Sequence, residues 1–213
     1  MHFDLLLMTS RSGSSMVAEI FVKHGFYWAK DERRNPLVGG QRVRYNSFEN
    51  QAVKEFLKVN FGTPLGDMIT FTDEDANRFK RVVQNEYTTL KPNVWKGAVE
   101  FFPIWWRLHE IGAIPSMSVS IIYRNKEAVI ESVLAKRQGS GNIDEARRIT
   151  DKRYDIMEQL AVDYALPLIM TDELIAGDFF SLRQAFDMGG HGLAFEEHLA
   201  REVIKPEKWE TER

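Results

Sequence analysis

TSRSGSS, residues 9 to 15, joins an apolar run (Phe3 to Met8) to a helical pattern (Met16 to His24). A short apolar run is typical of a buried strand, and a turn of glycine and small hydroxyl residues leads from it into the helix. Backbone N–H groups in such a turn point to one place, and the helix N-terminus adds partial positive charge. Arg11 can donate two parallel hydrogen bonds to an anion, and the serines supply hydroxyl donors. We therefore expect this turn to bind a phosphate or a chemically similar anion.

The turn differs from the Walker A loop, G-x-x-x-x-G-K-[ST], in which a lysine follows the last glycine and reaches the β- and γ-phosphates. Here Ser14 follows Gly13, no glycine precedes it in the turn, and the cation, Arg11, comes before the glycine. A P-loop NTP-dependent kinase or ATPase stays open as an alternative. Its best residue is Asp172, which follows the apolar run Leu168 to Met170 and could hold Mg²⁺.

Composition limits the class of protein. The chain has 213 residues, 44% of them hydrophobic, which fits a single α/β domain over residues 1–213. Its net charge of −3 does not favour a nucleic-acid partner. The absence of cysteine excludes disulfides, thiolate metal sites and a cysteine nucleophile. The first apolar run is too short for a signal sequence or a membrane span, so we expect a cytoplasmic protein with no membrane partner.

Strand and helix patterns alternate along the chain. Core strands are predicted at Phe3–Met8, Val94–Lys96, Ser116–Tyr123 and Pro167–Met170. Helices are predicted at Ser15–Lys23, Phe48–Asn60, Asp73–Tyr87, Phe101–Ile111, Lys126–Lys136, Asp144–Tyr164 and Phe179–Phe186, with a loop over Lys30–Asn46. This order predicts a three-layer α/β/α fold with a central parallel sheet, in which ligands bind at the carboxyl ends of the strands.

Apolar residues at helical spacing predict which face of two of the helices packs in the core. In the predicted helix Phe48–Asn60 this face is formed by Phe48, Ala52, Phe56 and Val59. In the predicted helix Asp144–Tyr164 it is formed by Ile149, Ile156, Leu160 and Tyr164. The polar tail from Glu202 onward is expected on the surface.

A second candidate cation follows the strand that ends at Tyr123. Arg124 comes directly after this strand, and Ser132 lies in the next helix. A P-loop NTPase would instead place an aspartate at a strand end to hold Mg²⁺, so a cation here favours direct contact with an anionic ligand and no metal. Taken separately, Arg124 could pair with a surface carboxylate and Ser132 could fill a helix position.

Several segments occur in an order that is known from one family. Residues 9–15 are similar to a 5′-phosphosulfate loop, P-[KR]-S-G-[TS]-[TS], and residues 124–132 to a 3′-phosphate motif, R-[ND]-P-x-x-x-x-x-S, with the same spacing from Arg to Ser. Residues 94–96, 169–174 and 46–50 are similar to the segments W-x-K-[DT]-P, Y-E-D-L-V and G-H-F-E-D. Together these segments cover almost the whole chain, which therefore resembles the PAPS-dependent sulfotransferases, including bacterial and phage members.

Some positions depart from the family pattern. Ser10 and Lys126 stand where the family has proline, Gly97-Ala98 replaces Asp-Pro, and Thr171 replaces tyrosine. A non-catalytic nucleotide-binding protein of the same fold is therefore a further alternative.

The resemblance implies a P-loop-containing nucleoside triphosphate hydrolase-like (sulfotransferase) fold. It implies an enzyme that transfers a sulfuryl group from 3′-phosphoadenosine 5′-phosphosulfate (PAPS), as donor, to a hydroxyl or amine on a small-molecule or carbohydrate acceptor, without a metal. The implied donor-binding residues are Arg11, Ser12, Gly13, Ser14, Ser15, Arg124 and Ser132. Lys96 would lie near the sulfuryl oxygens, and Arg11 would neutralise the leaving 5′-phosphate.

The acceptor hydroxyl also needs a general base. Glu49 is the first candidate, with Glu32 and His109 as the others, although each also fits a structural role. The aromatic group Phe101, Phe102, Trp105 and Trp106 could line an acceptor pocket, but its helical spacing favours a place in the core. Consecutive residues on a helix do not share one face, so Glu196, Glu197 and His198 are not expected to hold a metal.

Overall fold

The computed structural model describes residues 1–28, 37–38, 41–42, 50–136 and 142–204. The strands are β1 (His2–Met8), β2 (Leu37–Val38), β3 (Gln41–Arg42), β4 (Asn93–Ala98), β5 (Ser116–Tyr123) and β6 (Leu168–Met170). The helices are α1 (Ser14–Lys23), α2 (Gln51–Phe61), α3 (Asp73–Glu86), α4 (Phe102–Glu110), α5 (Lys126–Lys136), α6 (Ile143–Asp163), α7 (Thr171–Ile175), α8 (Phe180–Met188) and α9 (Glu197–Val203). A 3₁₀ turn, Val99–Phe101, links β4 to α4.

Four strands form one parallel sheet in the order β4-β1-β5-β6. Side chains alternate across it, as in any strand. Phe3, Leu5 and Leu7 enter a core with α2 to α6, whereas Leu6 and Met8 enter a second core with α1 and α7 to α9. The structure thus confirms the predicted α/β class, with a central parallel sheet and helices on both faces.

Most predicted elements are present with small shifts at their ends. The bounds of β5 and α5 agree with the prediction, and α3 begins with a capping box of Thr72 and Asp75. The differences concern short elements. The segment predicted as a loop contains β2 and β3, which pair antiparallel, and neither α7 nor α9 was predicted.

The amino-terminal edge of the sheet carries a buried polar cluster of His2, Asp4 and His191. Asp4 is almost fully buried, and its Oδ2 lies 2.9 Å from His2 Nε2. The other ring nitrogen of His2 lies 2.6 Å from Ser116 Oγ, and the His191 ring lies 5.8 Å from the His2 ring. Burial raises the pKa of Asp4 to about 6 despite the bond to His2. Burial, together with His2 and His24, lowers the pKa of His191 to about 4.

These two shifts give opposite slopes of stability against pH. Between pH 3.8 and about 6 the folded state holds a proton on Asp4 that the unfolded chain has lost, so this group destabilises the fold as pH rises. Between about pH 4 and 6.5 the unfolded chain protonates His191 and the folded state does not, so this group stabilises the fold as pH rises. The two contributions oppose each other in the shared window.

In Asp4→Asn the opposing contribution of Asp4 is absent, so the rise in folding stability with pH that comes from His191 should become visible. Relative to wild type, its free energy of unfolding should increase between pH 4 and 6, on the order of 1 kcal/mol per pH unit, and then stay constant above pH 6. Urea titrations at pH steps across this range measure the difference. A variant whose offset from wild type does not change with pH would show that Asp4 ionises normally.

Candidate functional site

The turn between β1 and α1 leaves the start of α1 without a side-chain cap. Gly13 is the N-cap residue in a left-handed conformation, and its carbonyl accepts hydrogen bonds from the N–H groups of Met16 and Val17. The first turn of α1 contains no acidic residue. The side chains of Asn50, Thr72 and Asn142 cap α2, α3 and α6, whereas α4, α7, α8 and α9 start without a side-chain cap, as α1 does. The N-terminus of α1 therefore presents uncapped N–H groups and a positive dipole end to an anion.

Glycine is required at position 13 because of both its backbone and its neighbour. Its φ of 80° lies in the left-handed region. A Cβ atom there would also lie 3.2 Å from Cγ2 of Thr171. Thr171 is fully buried, and its hydroxyl donates to the Tyr123 carbonyl at 3.1 Å. Thr171, at the position where the family has tyrosine, thus packs the turn against the end of β5.

The structure brings together the cations and the serine of the two predicted phosphate motifs. Arg11 Nε donates to Ser132 Oγ at 2.8 Å. Arg124 Nη1 donates to the main-chain carbonyl of Arg11 at 3.1 Å. Parallel pairing of β1 and β5 accounts for this meeting, because it places the carboxyl ends of both strands at the same edge. Arg11 has a φ of 67°, which is uncommon for a residue with a side chain.

Lys96 reaches the same turn from β4. It pairs in register with Leu6 of β1, so its side chain projects toward the layer that contains α1. Its ammonium donates to Ser15 Oγ at 3.0 Å and to Ser14 Oγ at 3.5 Å. Lys96 is only 3% exposed, so its charge acts in an environment of low water content.

Two polar atoms of this site are buried without a hydrogen bond to any described residue, namely Ser12 Oγ and Arg124 Nε. Arg124 Nε lies 3.5 Å from Asp172 Oδ1, which is an ion-pair distance but too long for a hydrogen bond of normal strength. Buried polar atoms are rarely left unpaired in folded proteins. An unpaired hydroxyl and an unpaired guanidinium N–H beside an uncapped helix fit a ligand with anionic oxygens.

The backbone of Arg124 is fixed from the opposite layer. The Tyr154 hydroxyl, on α6, donates to the Arg124 carbonyl at 2.5 Å. Burial raises the pKa of Tyr154, so the phenol keeps its proton and remains a donor. The sequence did not predict this contact. The apolar periodicity of α6 indicates which of its residues are buried, but not which residue of another element they meet.

Asp172 is placed differently from what a magnesium ligand requires. Its Oδ2 accepts the Asn125 N–H at 2.8 Å, and its Oδ1 faces the Arg124 guanidinium. A carboxylate that is already paired with a backbone donor and a cation is a weaker metal ligand. Among the described residues, no group of three or more His, Cys, Asp or Glu side chains could hold a metal ion.

Of the three candidate general bases, only His109 lies in the described part of the chain. Glu49 and Glu32 lie outside the described residues. His109 Nδ1 lies 2.8 Å from the Ile114 carbonyl, just before β5 begins, which places His109 near the amino-terminal edge of the sheet. His109 is therefore a structural histidine and not a base for this site.

The strand that carries Lys96 has no room for the residue that the family places after it. A Cβ on Gly97 would lie 2.1 Å from the Trp95 ring, which packs against Trp105 in the core. Glycine is therefore required here by Trp95. The aromatic group at the start of α4 packs in the core as predicted. Trp105 is fully buried, Phe101 and Phe102 are nearly so, and Trp106 is partly buried and packs against the same core.

A buried ion pair supports the same edge of the sheet. Glu100, in the 3₁₀ turn that follows β4, is fully buried, and its Oε1 accepts from Arg153 Nε at 2.6 Å and from the Gly66 N–H at 3.1 Å. Arg153 also donates to the Pro64 carbonyl at 2.9 Å. The pair thus ties residues 64–66 and α6 to the end of β4.

An open hollow of about 570 Å³ lies elsewhere, along the connection from α7 to α8, where Gly177, Phe180 and Arg183 line it. It shares no residue with the candidate site. No helix in the described ranges is both long enough and apolar enough to cross a membrane. No protein-family model matches this chain, and no curated protein matches it either.

Proposed function

We propose that this chain is a PAPS-dependent sulfotransferase. The observation that carries the proposal is the meeting of Arg11, Arg124 and Ser132 beside the uncapped start of α1. These residues come from two motifs more than a hundred positions apart, and their types are those of a site for two phosphate groups. The donor supplies an activated sulfuryl group, and the chain supplies its binding and the electrostatic stabilisation of the charge that develops.

Each residue has a role that follows from its place. The N–H groups at the start of α1, with the hydroxyls of Ser14 and Ser15, bind the 5′-phosphate. Arg11 neutralises the charge that appears on this phosphate when its bond to sulfur breaks. Arg124 and Ser132 bind the 3′-phosphate, and the unpaired Arg124 Nε donates to it. Lys96, whose ammonium lies at the Ser15 hydroxyl, stabilises the peripheral sulfuryl oxygens.

In the transfer, an acceptor oxygen or nitrogen forms the new bond to sulfur while the bond from sulfur to the 5′-phosphate oxygen breaks. The acceptor proton passes to a general base, for which Glu49 is the candidate. Arg11, Arg124 and Lys96 provide the positive charge for this step.

A non-catalytic nucleotide-binding protein is the second candidate. The observation that favours it is the contact between Trp95 and Gly97, because the aspartate of the family's strand cannot be accommodated there. Such a protein would bind the same nucleotide without transferring the sulfuryl group. An ATP-dependent kinase is favoured less, because Asp172 is paired with Arg124.

The nucleotide class can be tested by calorimetry with 3′-phosphoadenosine 5′-phosphate and ATP, each in EDTA and in Mg²⁺. The bisphosphate should bind without metal, at least about tenfold more tightly than ATP, because only its 3′-phosphate reaches Arg124. Mg²⁺ should change its affinity little. A preference for ATP that depends on Mg²⁺ would reject the proposal and favour the kinase.

A further inference from the structure

A carboxylate already lies where an anionic ligand would be expected at the start of α5. Asn125 caps this helix, since its Oδ1 accepts the Ala128 N–H at 3.1 Å. The N–H of Asn125 itself donates to Asp172 Oδ2 at 2.8 Å. Asp172 thus lies between a helix N-terminus and the Arg124 guanidinium, a position with the same donors that a phosphate group uses.

The contact between Asp172 and Arg124 is an attraction of charges without a directed hydrogen bond. The Nε–Oδ1 distance is 3.5 Å, and Arg124 Nε makes no hydrogen bond within the described residues. Nη1 is bonded to the Arg11 carbonyl instead. The charge of the guanidinium is therefore balanced by Asp172. Its buried Nε–H is still free to donate a hydrogen bond to a phosphate oxygen.

The other donors of the proposed 3′-phosphate site also have partners within the protein. Ser132 Oγ accepts from Arg11, and Arg11 in turn binds Arg124 through its carbonyl. The groups that would bind the nucleotide are thus linked to one another, and Asp172 is the one anion in this described network. A phosphate that binds Arg124 must displace this carboxylate or tolerate its charge.

We propose that Asp172 is an internal competing anion that weakens binding of the 3′-phosphate and speeds release of the nucleotide product. The inference rests on the proposed function, because it concerns the same nucleotide site. Its physical basis is repulsion between a carboxylate and a phosphate that share one guanidinium. The Asp172 side chain is 49% exposed, so water and salt screen this repulsion, and we expect an effect on the order of tenfold.

Asp172→Asn tests the proposal because it removes the charge and keeps an oxygen that can accept the Asn125 N–H. The variant should bind 3′-phosphoadenosine 5′-phosphate about tenfold more tightly than wild type, with a slower dissociation rate in stopped-flow measurements. Binding of adenosine 5′-phosphate, which lacks the 3′-phosphate, should change less than about twofold. The difference in bisphosphate affinity between wild type and Asp172→Asn should become smaller in high salt.

Glu173→Gln is the matched control, since it removes one negative charge from the next, exposed residue of α7. It should leave both affinities within about twofold of wild type, as expected for an exposed charge that does not contact the guanidinium. Thermal unfolding of each variant checks the fold, and Asp172→Ser is a second variant if the asparagine protein is unstable. In an Arg124→Ala background, Asp172→Asn should no longer tighten binding of the bisphosphate.

The outcomes separate the two proposals. Weaker bisphosphate binding by Asp172→Asn would overturn the inference and show that Asp172 positions Arg124. Equal tightening by Glu173→Gln would also overturn it, because net charge alone would then explain the effect. If wild type binds neither nucleotide, the proposed function itself fails, and the inference fails with it.

Discussion

Replacing Arg153 by alanine is expected to lower the free energy of unfolding by about 3–5 kcal/mol, because it leaves the fully buried Glu100 carboxylate without its cation. Oε2 of Glu100 already makes no hydrogen bond within the described residues, so after the substitution the carboxylate would keep only the hydrogen bond from the Gly66 N–H to Oε1 among its described side-chain contacts. Urea unfolding followed by tryptophan fluorescence measures the change. The same substitution should also loosen residues 64–66, which Arg153 holds through the Pro64 carbonyl.

Two further variants distinguish a buried charge from a general loss of packing. Arg153→Met combined with Glu100→Gln should recover most of the stability, because neither side chain is then charged. Arg147→Ala is the matched control, since Arg147 pairs with Glu127 at 3.1 Å on the surface, and it should cost less than about 1 kcal/mol. A loss for Arg153→Ala as small as for Arg147→Ala would show that water reaches Glu100.

The sequence was sufficient to predict the strand, turn and helix that form the site. The apolar run of β1, the glycine of the turn and the helical pattern of α1 each give a strong local signal, and together they place Arg11 at the edge of a parallel sheet. Arg124 and Ser132 could be predicted at the same edge because they follow the next strand along that edge. Their contact with Arg11 agrees with this prediction.

Other features could not be predicted because they depend on tertiary packing. The helix α7 has five residues, too few for a periodic pattern. The predicted faces of α2 and α6 were partly wrong, since Val59 is 81% exposed and Tyr164 is 40% exposed. The core side of α2 is formed by Val53 and Leu57, one position away, where α3 and α4 cover it.

The end of the described chain was also predicted wrongly in part. Val203 and Ile204 are buried, although the tail from Glu202 was expected on the surface. They belong to the core that also contains residues of α1 and α8. Two apolar residues in a polar segment give too weak a signal to predict this burial. The sequence left open that Arg124 pairs with a surface carboxylate, and in the structure this carboxylate is Asp172, which the sequence had suggested only as a metal ligand.

The largest expected effect on binding is that of Arg124→Ala. In the proposed function, Arg124 binds the 3′-phosphate and so distinguishes a nucleotide that has this group from one that lacks it. Its buried Nε has no hydrogen bond within the described residues. Loss of a charge-assisted hydrogen bond costs about 1.5–3 kcal/mol, which corresponds to about 10- to 150-fold in affinity. Lys126→Ala is the matched control, because it also removes a cation near the start of α5. The Lys126 ammonium pairs with Asp151 and not with a residue of the site.

The most direct test of the account is a calorimetric titration of wild type, Arg124→Ala and Lys126→Ala with 3′-phosphoadenosine 5′-phosphate and adenosine 5′-phosphate in EDTA. We expect wild type to prefer the bisphosphate, and Arg124→Ala to lose that preference while its affinity for adenosine 5′-phosphate changes little. Lys126→Ala should behave as wild type. Equal affinities of wild type for the two nucleotides, or an Arg124→Ala variant that keeps the preference, would contradict the assignment of Arg124 to the 3′-phosphate.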